Sequence, residues 1–230
     1  MKRRILVTGA EGVLGSAVTE EFLQQGDSVV GTFHRSRPES AWKLNSEFRW
    51  AQARLEDPSA VGELVGRGWE GAPFDCLVHC AGGFRFGAAD QLNVTDYDFL
   101  MESNLKSAFL LVRELLPAMK RQNFGKLVFV SAQATLHPGA GLSAYAASKA
   151  GLNMLVASLA AEVRPFKINV NAVLPSIIDT PSNRRDMPTS DFSTWVAPGD
   201  LARVIVFLTS PAAECVHGAL LPVSGRVGSS

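Results

Sequence analysis

Apolar runs rich in β-formers alternate with helix-forming stretches along all 230 residues, and this alternation is what most restricts the fold. Residues 4–8, 28–33, 48–51, 74–80, 126–131, 167–173 and 218–223 read as seven strands. Helical patterns fill the spaces between them: one ending at Gln25, then 58–69, 96–122, 143–164 and 198–210. Strands that are apolar on both faces belong inside a sheet covered on both sides, and strand–helix alternation makes neighbouring strands parallel. The expectation is a single-domain α/β chain over 1–230, a Rossmann-like doubly wound parallel sheet of about seven strands with helices on both faces. A hydrophobic content of 47% in 230 residues suffices for one core. No repeat, linker or low-complexity segment divides the chain.

Ligands of such sheets bind beyond the carboxyl ends of the strands. Gly9, Gly82, Ser131 and Pro175 all fall at such ends. The first is the most informative. Gly9-Ala10-Glu11-Gly12-Val13-Leu14-Gly15 joins the first strand to the first helix. Gly9 suits a tight turn, Gly12 admits a pyrophosphate close to the backbone, and Gly15 lets helix and strand pack closely. The helix N-terminus then offers free N–H groups to an anion.

A second pattern lies in Ser143-Ala144-Tyr145-Ala146-Ala147-Ser148-Lys149. On a helix, Tyr145 and Lys149 share a face. An adjacent ammonium favours the phenolate, so the pair predicts a tyrosine with a lowered pKa that serves as a general acid or base. The same spacing also suits an exposed lysine one turn after a half-buried tyrosine; the glycine turn at the N-terminus favours the chemical reading.

Other classes are disfavoured. The 22 basic and 22 acidic residues cancel, so no basic nucleic-acid footprint is expected. No apolar run approaches the ~20 residues that span a bilayer. The apolar stretch after Met1-Lys2-Arg3-Arg4 is too short for a secretory leader. Cys76, Cys80 and Cys215 form no disulfide framework, and the four histidines lack metal-ligand spacing. The expectations are a cytoplasmic protein with no metal and a small-molecule partner.

Taken together, these residues resemble the short-chain dehydrogenase/reductase family over essentially the whole chain. The resemblance rests on Thr8-Gly9 with Gly12 and Gly15, Cys80-Ala81-Gly82, Asn104, Tyr145 with Lys149, and Pro175 with Thr180. It implies a nicotinamide-dependent oxidoreductase in which Tyr145 passes the substrate proton, Lys149 tunes it and holds the ribose, and Asn104 supports a proton relay. It places Gly9, Glu11, Gly12, Val13, Leu14, Gly15, His34, Arg35, Ser36, Arg37, Ala81, Gly82, Gly83, Pro175, Ile178 and Thr180 at the cofactor, with Tyr145 and Lys149. Members commonly form homodimers or homotetramers through two long helices, here 96–122 and 143–164.

The family's serine, thirteen residues before the tyrosine, is Ala132 here. Ser131 precedes it, and on a strand it faces the other way. Alanine at that place is similar to the quinonoid dihydropteridine reductase branch. So are Ala81-Gly82-Gly83-Phe84, Ala132-Gln133-Ala134-Thr135-Leu136, and the stretch from Asp179-Thr180-Pro181 through Asn183 to Trp195. The resemblance therefore implies a quinonoid dihydropterin or a similar flat ring, with Phe84, Gln133, Asn183 and Trp195 at the substrate. A carbonyl or 3-oxoacyl reductase is the alternative. A nucleotide-binding regulatory protein is a further one, of another class. Strand two ends in His34-Arg35-Ser36-Arg37, with no carboxylate following it, so NADP(H) is preferred over NAD(H). The segment 176–197 is long for a plain connection and predicts a substrate loop that closes on its ligand.

Overall fold

The structure is a computed structural model that describes residues 2–35 and 41–227. Seven strands, β1 (Arg4–Thr8), β2 (Ser28–Phe33), β3 (Phe48–Gln52), β4 (Cys76–His79), β5 (Gly125–Val130), β6 (Ile168–Pro175) and β7 (Leu220–Val223), form one sheet. Their order is β3-β2-β1-β4-β5-β6-β7, and every pairing is parallel. The order reverses between β1 and β4, which is the switch point where a crevice opens.

Alternate residues along each strand feed two cores. Leu6, Leu77, Leu127 and Phe129 pack on one face with α2 (Pro58–Arg67), α4 (Ser107–Gln122) and α5 (Ser143–Glu162). Ile5, Val7, Val78 and Val128 pack on the other with α1 (Val13–Gln24) and α7 (Pro198–Thr209). This is the doubly wound single sheet that the alternation of runs predicts.

Some boundaries differ from the sequence reading. The regular part of the fourth strand is Cys76–His79. Just before it the Asp75 N–H donates to the Arg4 carbonyl at 2.8 Å and its carbonyl accepts from the Lys126 N–H at 3.0 Å, while its carboxylate binds the Arg4 guanidinium and backbone N–H at 2.6–2.9 Å. The long central helix starts at Val94, capped by Asn93, whose Oδ1 accepts from the Asp96 N–H at 2.7 Å. It stops at Asn123, not Gly125. Asn123 takes the left-handed conformation (φ 50°), which asparagine tolerates, and Gly125 opens β5. Between α3 (Val94–Met101) and α4 lies a π-turn, Glu102–Lys106, where the Ser107 N–H reaches back to the Glu102 carbonyl. Asn104 sits in that turn.

The segment 176–197 is built rather than loose. It carries α6 (Pro181–Asp186), opened by Thr180 Oγ1 accepting from the Asn183 N–H. Ile178 bridges to Val196, and the Arg184 guanidinium forks onto Asp179 at 2.6 and 2.7 Å. Among the described residues no helix is long and apolar enough to cross a membrane.

Candidate active site

The turn after β1 is packed so closely that side chains are excluded. Gly9 has φ +64°, and a Cβ there would lie 2.8 Å from the Ala81 nitrogen. A Cβ on Gly15 would lie 2.1 Å from the Gly9 carbonyl oxygen. Gly12 stands at the N-cap of α1 with no side chain to satisfy the first-turn N–H groups of Val13 and Leu14. A backbone cradle at a helix N-terminus, open to an anion and closed to Cβ atoms, fits a dinucleotide pyrophosphate.

At the end of β2 the geometry departs from the expected one. Glu11 Oε1 accepts from the His34 N–H at 3.2 Å. A carboxylate from the glycine turn therefore does reach the place that the local sequence leaves without one. Gln52 Nε2 donates to the carbonyls of His34 and Arg35 at 3.2 Å, tying that corner to β3. Ser36 and Arg37 lie outside the described residues.

The cradle is wired to the π-turn. Ser107 Oγ donates to the Ser103 carbonyl at 2.6 Å, so it accepts from His79 Nε2–H. His79 Nδ1 then accepts from Thr8 Oγ1 at 2.8 Å, and Thr8 Oγ1 accepts from the Ala81 N–H. Burial holds His79 neutral, its pKa lowered to about 3. Nothing in the spacing of Thr8, His79 and Ser107 reveals this line, because strand register is not written in the sequence.

Asn104 is fully buried. Its Oδ1 accepts from the Gly83 N–H and its Nδ2 donates to the Gly83 carbonyl, both at 2.9 Å, and to Ser148 Oγ at 3.0 Å. Gly82 must be glycine here: a Cβ would lie 2.6 Å from Asn104 Oδ1. The carboxamide is thus spent on the chain after β4 and on α5, one residue before Lys149.

Tyr145 and Lys149 line the same cleft, one helical turn apart. Their electrostatics differ from the expected ones. Lys149 Nζ donates to the Val130 carbonyl at 2.9 Å, and burial lowers its pKa to about 8. Burial raises the Tyr145 phenol to about 12 instead of lowering it. The ammonium is aimed at the end of β5, so desolvation decides the phenol's state. The Phe84 ring stands edge-on to the Tyr145 ring with centroids 4.9 Å apart.

The cleft encloses ≈ 1460 Å³, and its wall includes Gly82, Gly83, Gln133, Pro175, Ile178 and Asn183. The glycine turn, Ala81 and Thr180 stand outside this wall, as does Trp195. Trp195 is buried against Phe192, with ring centroids 4.8 Å apart, and supports the loop from behind instead of facing substrate. Ala132 presents only a methyl group. Ser131 is buried, and its hydroxyl donates weakly to the Lys149 carbonyl at 3.4 Å. Among the described residues no cluster of three potential metal ligands occurs.

Residues 3–191 match the short chain dehydrogenase family. The chain belongs to that family. The 2-dehydro-3-deoxy-D-gluconate 5-dehydrogenase of Pseudoalteromonas atlantica is 30% identical over 96% of this short-chain dehydrogenase and 93% of its own length. The 3-oxoacyl-acyl-carrier-protein reductase FabG of Salmonella typhimurium is 29% identical over 96% and 95%. A solved short chain dehydrogenase/reductase family protein superimposes with a TM-score of 0.89 at 27% identity, covering 98% of both chains. This short-chain dehydrogenase is therefore an NAD(P)-dependent oxidoreductase, and the regulatory alternative falls. These relatives are named for 5-dehydrogenation and 3-oxoacyl reduction, not for pteridine reduction.

Proposed function

We propose that this short-chain dehydrogenase is an NADPH-dependent carbonyl reductase of the 3-oxoacyl type. The observation that carries the reading is the half-buried Tyr145 phenol on the wall of a cleft that Gly82 and Lys149 also line, where burial raises it to about 12. A phenol held near 12 is a proton donor at neutral pH, which suits reduction, since a developing alkoxide is a stronger base than phenolate. The relatives named above include a 3-oxoacyl reductase.

When bound, the dinucleotide supplies the hydride. The turn from Gly9 to Gly15 and the N-terminus of α1 would hold its pyrophosphate. Arg35 would supply charge for a 2′-phosphate and Glu11 would favour a free ribose hydroxyl, so the balance of these two residues would set the preference for NADPH over NADH. Gly82, Gly83, Pro175 and Ile178 border the nicotinamide end. Lys149 supplies positive charge to that end, and Tyr145 donates its proton to the substrate oxygen. Asn104 keeps Gly83 and Ser148 in place, and thereby the spacing of cofactor floor and α5. Phe84, Gln133 and Asn183 face the substrate.

Ala132 and the Phe84–Tyr145 edge contact favour a second reading, a quinonoid dihydropterin. No alkoxide develops on a ring nitrogen, and a flat heterocycle can lie against Phe84. Purified protein assayed for NADPH oxidation with a 3-oxoacyl thioester and with quinonoid dihydropterin decides between them. Turnover of the pterin alone would overturn the carbonyl reading.

A homodimer or homotetramer in the reducing cytoplasm is the proposed setting. Phe109 on α4 and Met154 on α5 are 52% and 63% exposed, large apolar side chains on the two helices expected to form the interface. The three cysteines are free.

A further inference from the structure

Resting on the carbonyl-reductase reading, we propose that the Ser224 hydroxyl, held by Gln133, is the second hydrogen-bond donor to the reacting substrate oxygen. A carbonyl oxygen that takes up negative charge is stabilised by more than one fixed donor, and Tyr145 provides one. The obvious neighbours cannot provide another. Ala132 has no donor, and Ser131 is buried on the Lys149 carbonyl. Asn183 Nδ2 is spent on the Ile178 carbonyl at 2.7 Å, and Ser176 Oγ on the Ser224 carbonyl at 2.8 Å.

Of the other donors on the cleft wall that carries Tyr145, His137 and Arg226 are exposed, whereas Gln133 and Ser224 are half-buried and hold each other. Gln133 Nε2 donates to Ser224 Oγ. A hydroxyl that accepts in this way still has its own proton to give. Among the described residues nothing accepts it. The serine is also held in place. It follows β7, whose Val223 pairs with Pro175 of β6, and its carbonyl accepts from Ser176 Oγ and the Val227 N–H. Gln133 follows the end of β5, so the carboxyl ends of three neighbouring strands converge on one hydroxyl. Gly225 reverses the chain immediately after it with φ +61°, and a Cβ there would lie 2.7 Å from the Thr194 carbonyl oxygen. A fixed hydroxyl of this kind needs no reorganisation as charge develops.

The test is steady-state reduction of the N-acetylcysteamine thioester of 3-oxobutyrate by wild type, Ser224→Ala, Gln133→Ala and Ser224→Ala combined with Ala132→Ser. The proposal expects Ser224→Ala to lower kcat/KM for the thioester about a hundredfold. The melting temperature and the NADPH dissociation constant should stay put, and Gln133→Ala should lose less. Serine at position 132 restores a donor on the same wall, and at least tenfold recovery in the double variant supports the role. An active wild type matched within twofold by Ser224→Ala overturns the proposal and leaves the carbonyl reading standing. So does a larger loss in Gln133→Ala, which would make the amide the donor. A wild type that binds NADPH but reduces no carbonyl probe overturns both.

Discussion

Lys149 Nζ lies 2.9 Å from the carbonyl oxygen of Val130, so the buried ammonium of α5 rests on the carboxyl end of β5. Burial, working against that contact, leaves a lysine with a pKa of about 8 beside a phenol raised to about 12. Since kcat/KM for NADPH reports groups of the free enzyme, it should fall as pH rises through about 8, while the phenol stays protonated. Lys149→Arg keeps its charge and should move that limb to higher pH. The same shift has a stability sign. Between about 8 and the ordinary lysine value of 10.5 the unfolded chain binds more protons, so folding stability contributed by this residue rises with pH across that window. Denaturant midpoints measured against pH should show the slope in wild type and lose it in Lys149→Met.

Tyr145→Phe removes the proton donor and keeps the ring that meets Phe84. Turnover should drop by roughly 10²–10⁴-fold, the usual worth of a positioned acid. Cofactor titration by fluorescence should give an unchanged dissociation constant. Retained turnover would remove the phenol from the mechanism.

Two glycines should respond in opposite directions to alanine. Gly15→Ala puts a carbon 2.1 Å from the Gly9 oxygen, and main chain must shift, at a cost of about 1–3 kcal/mol. Cofactor affinity should fall with it. Gly62, inside α2, has nothing within 4 Å, and Gly62→Ala should stabilise by about 0.5–1 kcal/mol. Thermal melts of the two variants check both signs.

Cofactor choice should turn on Glu11. Its carboxylate meets the His34 N–H at the corner where a 2′-phosphate would sit. Glu11→Gln keeps the hydrogen-bonding shape and removes the charge. The ratio of kcat/KM for NADPH to that for NADH should rise about tenfold, about 1.4 kcal/mol of removed repulsion. An unmoved ratio would assign the preference elsewhere.

Subunit association should depend on α4 and α5. Phe109→Glu combined with Met154→Glu places charge on both exposed apolar positions. Light scattering after size exclusion should show a smaller species than wild type. An identical mass in both proteins would exclude these faces as the interface.

The parts of this architecture written locally were legible in the sequence. Strand alternation, the Gly9–Gly15 turn and the Asp57-Pro58 helix start, where Asp57 Oδ1 accepts from the Ser59 N–H at 2.9 Å, are short-range features. The Tyr145–Lys149 spacing was equally plain, yet its electrostatics were not. The direction of the Lys149 amine depends on Val130, nineteen positions away in a different element. The same holds for Glu11 at His34, for Trp195 behind its loop and for Gln133 on Ser224, each pairing set by how strand ends are brought together. Long-range register fixed these outcomes, and no pattern within a single segment carries it.

The π-turn at Glu102–Lys106 inserts one extra residue between α3 and α4. Deleting a residue there would let α3 run into α4 with α-helical pairing across the junction. It would also swing Asn104 by roughly 100° around the axis, given 3.6 residues per turn, and strip Gly83 of both its bonds. A sturdier helix and a ruined floor would arrive in one edit. Engineering this protein for heat tolerance by regularising its backbone should therefore leave that irregularity alone.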